Sequence, residues 1–212
     1  MLRDQKGRIH GLVAASKRGA SVIGLFVGGK GKRLGGVAKG NLTLGGQKLV
    51  ERLLATCSTA LPGSEILLVG SAEPYAELGI TVLADDPSGI GPLGGLRALL
   101  RHAAGFGADG ALVLACDLPH LGAGLVRRLA AEAPAADFLA ARDGELWHTL
   151  VARYGVGALP FVEQAIAEGD RALQHVVARL GKRAVELHVD ATERAELRDW
   201  DTPEDVENSR SS

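Results

Sequence analysis

The sequence predicts an α/β fold: a Rossmann-like, three-layer α/β/α arrangement around a mostly parallel central sheet. Three observations predict it. Short apolar runs alternate with amphipathic stretches, the first run empties into a loop of glycines and cations, and two later runs end in aspartate. Alternating strand and helix patterns place helices on both faces of a parallel sheet. Such sheets bind ligands beyond the carboxyl ends of their strands. The glycine loop, Asp85-Asp86 and Asp117 all emerge at that edge.

The elements follow in order. Residues 22–27, 66–69, 81–84 and 111–115 read as short buried strands, being apolar runs bounded by turn residues. Residues 48–59, 93–104 and 125–133 carry apolar positions at helical spacing. Beyond residue 134 the pattern changes. Residues 138–141 and 146–154 predict two strands about an Asp143-Gly144 turn. Residues 159–167 and 172–180 predict two helices joined at Gly169-Asp170, and residues 185–189 a further strand.

Composition bounds the answer. The 212 residues predict one domain with a substantial core. Hydrophobic residues make up 46% and charged residues 23%, ordinary for a globular protein. A net charge of −1 argues against a general nucleic-acid binder. No uncharged stretch approaches the roughly 18 apolar residues of a membrane span. Cys57 and Cys116 make neither a disulfide framework nor a four-ligand zinc site, and their apolar context predicts buried thiols in a reducing cytoplasm. Residues 1–20 hold Arg3, Lys6, Arg8, Lys17 and Arg18 against Asp4. They are expected to form a basic, mobile extension ahead of a single domain over residues 21–207, with a frayed tail over residues 208–212.

The loop Gly28-Gly29-Lys30-Gly31-Lys32-Arg33-Leu34-Gly35-Gly36-Val37-Ala38-Lys39 suits phosphate. Glycines let backbone N–H groups approach an anion with no Cβ in the way. The lysines and Arg33 add charge, the guanidinium in a geometry that can be bidentate. Two familiar phosphate loops fail here. Gly24 to Lys30 has Walker spacing, but Gly31 stands where a hydroxyl should ligate magnesium, and Gly24 lies inside an apolar run. The dinucleotide fingerprint counted from Gly29 meets Leu34 where its last glycine belongs.

A third pattern fits. The stretch from Val27 to Gly40 resembles the signature L-A-G-G-x-S-x-R-M-G-x-x-K of the molybdenum cofactor guanylyltransferase family and its nucleotidyltransferase relatives. Gly28-Gly29, Arg33, Gly35 and Lys39 occupy its key places, with Gly31 for Ser, Leu34 for Met and one extra residue before Lys39. Three later blocks extend the resemblance. Cys116-Asp117-Leu118-Pro119 closes an apolar strand as the family's magnesium-binding segment does. The run from Asp85 to Leu96 resembles D-x-x-x-x-x-G-P-L-x-G-L, with Pro92 suited to a first helical turn and Gly94-Gly95 to close packing. Trp200-Asp201-Thr202-Pro203-Glu204-Asp205 resembles the closing N-x-N-T-P-E-D-L, with Asp199 and Asp201 for the two asparagines.

The resemblance implies a cytoplasmic, Mg²⁺-dependent enzyme that joins GTP to molybdopterin and releases pyrophosphate. It implies catalytic roles for Arg33, Lys39 and Asp117. It implies a nucleotide site at Val27, Gly28, Gly29, Lys39, Asp85, Gly91 and Asp117, and Mg²⁺ on Asp117 and Asp201. His148 and Arg171 fall on the pterin-substrate side. A molybdoenzyme or a cofactor chaperone is the partner class for the product. Each assignment has a plainer alternative: Asp117 as a turn residue before Pro119, Asp201 or Thr202 as a helix cap, Arg171 as a solvated cation, His148 as an ordinary strand residue. Two other functions stay open, a CTP-dependent transferase and a non-catalytic nucleotide-binding module. Guanylyl members often carry Asn after the second strand, where this chain has Gly70-Ser71.

Overall fold

The computed structural model describes residues 21–28, 38–71 and 73–200. Among these, seven strands make the central sheet. They are β1 (Val22–Phe26), β4 (Glu65–Val69), β5 (Val82–Leu83), β6 (Gly110–Ala115), β7 (Phe138–Asp143), β8 (Leu146–Gly155) and β9 (Ala184–Glu186). Their order across the sheet is β5-β4-β1-β6-β8-β7-β9. β1 pairs in parallel with β4 and β6, and β4 with β5. β8 is reversed, antiparallel to both β6 and β7. The fold class expected from the alternating pattern is therefore the one observed.

β1 is an interior strand, flanked by β4 and β6, and its run Val-Ile-Gly-Leu-Phe is buried at every position. Only a strand covered on both faces tolerates such a run. Its side chains alternate between two cores. Val22 and Phe26 join α2 (Pro92–Phe106), α4 (Leu159–Ala167) and α5 (Leu173–Leu180) on one face. Ile23 and Leu25 join α1 (Leu49–Ala60) and α3 (Ala123–Ala131) on the other. The helices show the matching stripe, with Val50, Leu53, Cys57 and Ala60 in α1 buried at three- and four-residue spacing. Gly24 is mid-strand because α2 comes so close: a Cβ there would stand 2.5 Å from Leu99 Cδ2. Both cysteines are free and buried. Among the described residues no helix is long and apolar enough to cross a membrane.

Some details differ from the expectation. The last strand is shorter and earlier, Ala184–Glu186, because only those residues find a ladder on β7. The hairpin turn is Gly144-Glu145, with Gly144 at φ 57°. A two-stranded ribbon of β2 (Thr43–Leu44) and β3 (Gln47–Lys48) was not foreseen; two residues give no periodicity to read. α6 (Ala191–Glu196) was also missed, although it announced itself: Asp190 and Glu193 form a capping box. The expected basic extension over residues 1–20 and the tail from Asn208 lie outside the described residues.

Candidate active site

Four parallel strands end side by side, and the site grows from their last residues. The register pairs Phe26 with both Val69 and Ala115, and Val69 with Leu83. The ladder then runs on past each strand end. Val27 N–H donates to the Val69 carbonyl (3.1 Å), Cys116 N–H to Phe26 (3.3 Å) and Gly70 N–H to Leu83 (2.9 Å). Gly28, Gly70, Asp85 and Asp117 therefore leave the sheet as neighbours, although up to 89 positions separate them in the chain.

Gly28, Asp85 and Asp117 help line a cavity of about 330 Å³, together with Phe26, Lys39, Val69, Gly91, Pro92, Ala115, Cys116 and Leu150. Of the residues assigned to the nucleotide site, Gly28, Lys39, Asp85, Gly91 and Asp117 are brought together here. Val27 turns instead into the core against α1 and is 5% exposed; only its backbone belongs to the edge. Gly29, Arg33 and Asp201 lie outside the described residues. The chain that leads to Asp201 is placed by Trp200, whose N–H donates to the Asp117 carbonyl at 3.0 Å.

Lys39 and Asp117 are the charged centre. Lys39 Nζ stands 2.7 Å from Asp117 Oδ2, with both side chains mostly shielded (22% and 14% exposed). Lys39 is delivered by a single 3₁₀ turn, Lys39–Asn41, and Asp117 by the end of β6. Shielding strengthens the pair relative to one at the surface. Beside it burial pushes the Cys116 thiol up to about 12, with the Asp117 charge as the second cause.

Asp85 and Asp86 are adjacent and opposite in character. Asp85 faces the cavity, and desolvation raises its carboxyl above the ordinary value. Asp86 faces outward, where hydrogen bonding to Arg97 holds its carboxyl low, with help from Arg101. Helix α2 begins directly across from Asp85. Gly91, at φ 76°, is its N-cap and Pro92 its first residue; no side chain caps it. The expected packing role of Gly94-Gly95 is plain. A Cβ on Gly94 would stand 2.5 Å from the Pro87 carbonyl, and one on Gly95 2.7 Å from Val69 Cγ1.

His148 and Arg171 do not line the cavity. His148 sits near the β7–β8 turn, half-buried, with Nε2 3.8 Å from Asp143 Oδ2. Burial lowers its pKa, and Asp143 opposes that. Arg171 is exposed beside Asp170, which accepts from Ala172 N–H at the start of α5. Among the described residues of this half of the sheet, Leu150 alone reaches the cavity. Sequence reasoning missed the apolar lining of Phe26, Val69, Ala115 and Leu150, which looks like any strand core. Among the described residues no group of three or more His, Cys, Asp or Glu side chains gathers to hold a metal.

Comparison with known proteins gives a consistent result. Residues 24–186 match the MobA-like NTP transferase domain. A molybdenum cofactor guanylyltransferase of Rhodobacter capsulatus is 35% identical over 86% of this chain and 90% of its own length. One of Acidiphilium cryptum (strain JF-5) is 36% identical over 76% of this chain and 81% of its own. Among solved structures, the molybdopterin-guanine dinucleotide biosynthesis protein A of Archaeoglobus fulgidus is 26% identical, covers 90% of this chain and 97% of that one, and superposes with a TM-score of 0.73. The 2-C-methyl-D-erythritol 4-phosphate cytidylyltransferase of Thermus thermophilus shares the fold at 22% identity and a TM-score of 0.64, over 91% of this chain and 97% of that one. On the family match and these identities, the chain belongs to the MobA-like NTP transferase family, and it is a nucleotidyltransferase.

Proposed function

We propose that this nucleotidyltransferase joins GTP to molybdopterin, giving the guanine dinucleotide cofactor and pyrophosphate. The observation that carries the reading is the Lys39–Asp117 pair, set 2.7 Å apart in the cavity where the strand ends meet. The guanylyltransferase relatives supply the substrate names. In the reaction a phosphate oxygen of molybdopterin attacks the α-phosphorus of GTP. The bond from that phosphorus to the bridging oxygen breaks, and pyrophosphate leaves with the electron pair. The attacking phosphate is already an anion, so no strong base is required. Catalysis reduces to positioning and charge stabilisation.

Each cavity residue has a task in that scheme. Gly28 lets the backbone approach phosphate, with Gly29 and Arg33 completing the loop from outside the described residues. Lys39 turns from Asp117 to the α-phosphate as charge grows there. The donor set suits Mg²⁺, which takes one or two carboxylates and completes its shell with phosphate oxygens and water. Asp117 and Asp201 would hold the ion, which when bound neutralises charge on the phosphates. Asp85 offers two carboxylate oxygens to a base edge. Guanine presents two donors there, N1–H and N2–H, whereas cytosine presents a donor beside an acceptor.

One observation favours CTP instead. At Gly70 (φ 105°) a Cβ would stand 3.3 Å from the Gly28 backbone, so the Asn common in guanylyl members would be strained there, and the alternative position holds Ser71. Pyrophosphate release with Mg²⁺ and molybdopterin, GTP against CTP, decides. Release with GTP alone is expected. Release with CTP alone moves the chain to cytidylyl transfer. Release with neither, while a nucleotide still binds, leaves a binding module or another acceptor.

A further inference from the structure

Lys39 and Asp117 come from segments 78 positions apart, and both reach the cavity beside one buried phenol. Tyr75 is 2% exposed and belongs to a 3₁₀ helix, Glu73–Leu78, which contributes nothing to the cavity lining. The Gly40 N–H, one residue after Lys39, donates to Tyr75 Oη at 3.1 Å, and this bond is buried. Cys116, one residue before Asp117, is buried in the same cluster as the phenol. The fit at Gly40 is tight, since a Cβ there would stand 2.8 Å from Tyr75 Oη. The same helix grips the Lys39 segment twice more. Asn41 Nδ2 donates to the Pro74 carbonyl at 3.4 Å, and Lys48 pairs with Glu77.

A turn of only three residues has little rigidity of its own. A long lysine gains from a fixed base, because fixing its backbone removes freedom that the transition state would otherwise have to remove. The Tyr75 hydroxyl is the buried polar group that pins this turn, and the phenol shares a buried cluster with Cys116 at the strand end that carries Asp117.

We infer that Tyr75 is a positioning residue, whose hydroxyl fixes the Lys39 turn against the end of β6 and so sets the Lys39 ammonium on Asp117. The inference deepens the proposed role of Lys39 in nucleotidyl transfer and rests on that role for its catalytic consequence. Its structural content stands without any nucleotide.

The test is competitive acylation of the lysines in the nucleotide-free protein, read residue by residue by mass spectrometry. In Tyr75→Phe, Lys39 is expected to label severalfold faster than in the unaltered chain, approaching its rate in Asp117→Asn. Exposed Lys182 serves as the reference and should keep its rate, which separates local release from general unfolding. If Tyr75→Phe does not fold, Gly40→Ala disturbs the same contact from the other side and should release Lys39 likewise. Turnover with GTP should show kcat lowered about tenfold in Tyr75→Phe, with KM for GTP little changed. An unchanged Lys39 labelling rate overturns the inference, whatever the substrate. Absence of pyrophosphate release from the unaltered chain overturns the guanylyl reading and leaves the labelling result standing.

Discussion

The two sides of the sheet meet the cavity in different ways. On the β5–β4–β1–β6 side, parallel strands end together, and three of them hand a residue to the site, Asp85, Gly28 and Asp117, while Gly70 beyond β4 lies against Gly28 and Asp85. On the β8–β7–β9 side, β8 runs backwards, so its strand enters at that edge rather than leaving it. It contributes the mid-strand Leu150 and carries a hairpin beyond, with His148 close to the turn. Parallel strands gather loops into one constellation. A reversed strand offers a wall and a projecting tip. Under the proposed function the nucleotide falls to the first side and the acceptor to the second.

The comparison can be broken most sharply at its charged centre. Asp117→Ala is expected to abolish Mg²⁺-dependent pyrophosphate release. Lys39→Ala should lower kcat by about 10²–10³, the usual cost of losing one group that stabilises developing charge. Both variants should melt cooperatively near the unaltered chain. Near-normal rates in both would remove the first side's claim to the chemistry.

Asp85 sharpens the comparison next. Asp85→Asn replaces one of two acceptors by a donor, so the preference for GTP over CTP should fall by about 1–3 kcal/mol, read as a ratio of kcat/KM. The pH dependence has a defined sign. Burial raises the Asp85 carboxyl above 3.8. Between that value and its folded value the native state holds a proton that the unfolded state does not, so this group's contribution to stability falls as pH rises. In the proposed function GTP binds the ionised form. Affinity should therefore drop on acidification before an ordinary aspartate would titrate, and Asp85→Asn should lose that step.

Smaller effects test the supports. Gly94→Ala places a Cβ 2.5 Å from the Pro87 carbonyl, a backbone atom that cannot swing aside. It should cost about 1–3 kcal/mol in thermal or urea unfolding and weaken GTP, because Asp85 lies on the displaced loop. Arg171→Ala should raise KM for molybdopterin by a factor of about three, the worth of an exposed charge contact, without touching KM for GTP. An effect on GTP instead would erase the distinction between the two sides.

Much of this was legible in the chain. The apolar runs predicted strand positions because a run such as 22–27 cannot sit on a half-wet sheet. Asp117 could be placed at a strand end from its own neighbours, and Gly94-Gly95 could be read as a close contact. His148 and Arg171 were less legible, since no local pattern separates a substrate contact from a strand histidine or a solvated cation. The capping box at Asp190 was written in the sequence and overlooked.

By itself the sequence determined the α/β class, the order of most elements and the aspartates and glycines at their ends. Those features follow from burial and backbone freedom, which act over a few residues at a time. Only the tertiary structure decided that Lys39 meets Asp117 across 78 positions. It alone decided that Asp85 faces the cavity while Asp86 faces Arg97, and that Tyr75 holds the turn at Gly40. Such pairings depend on strand order and on which face a residue presents. Both are settled by the packing of the whole sheet and leave no local mark in the chain.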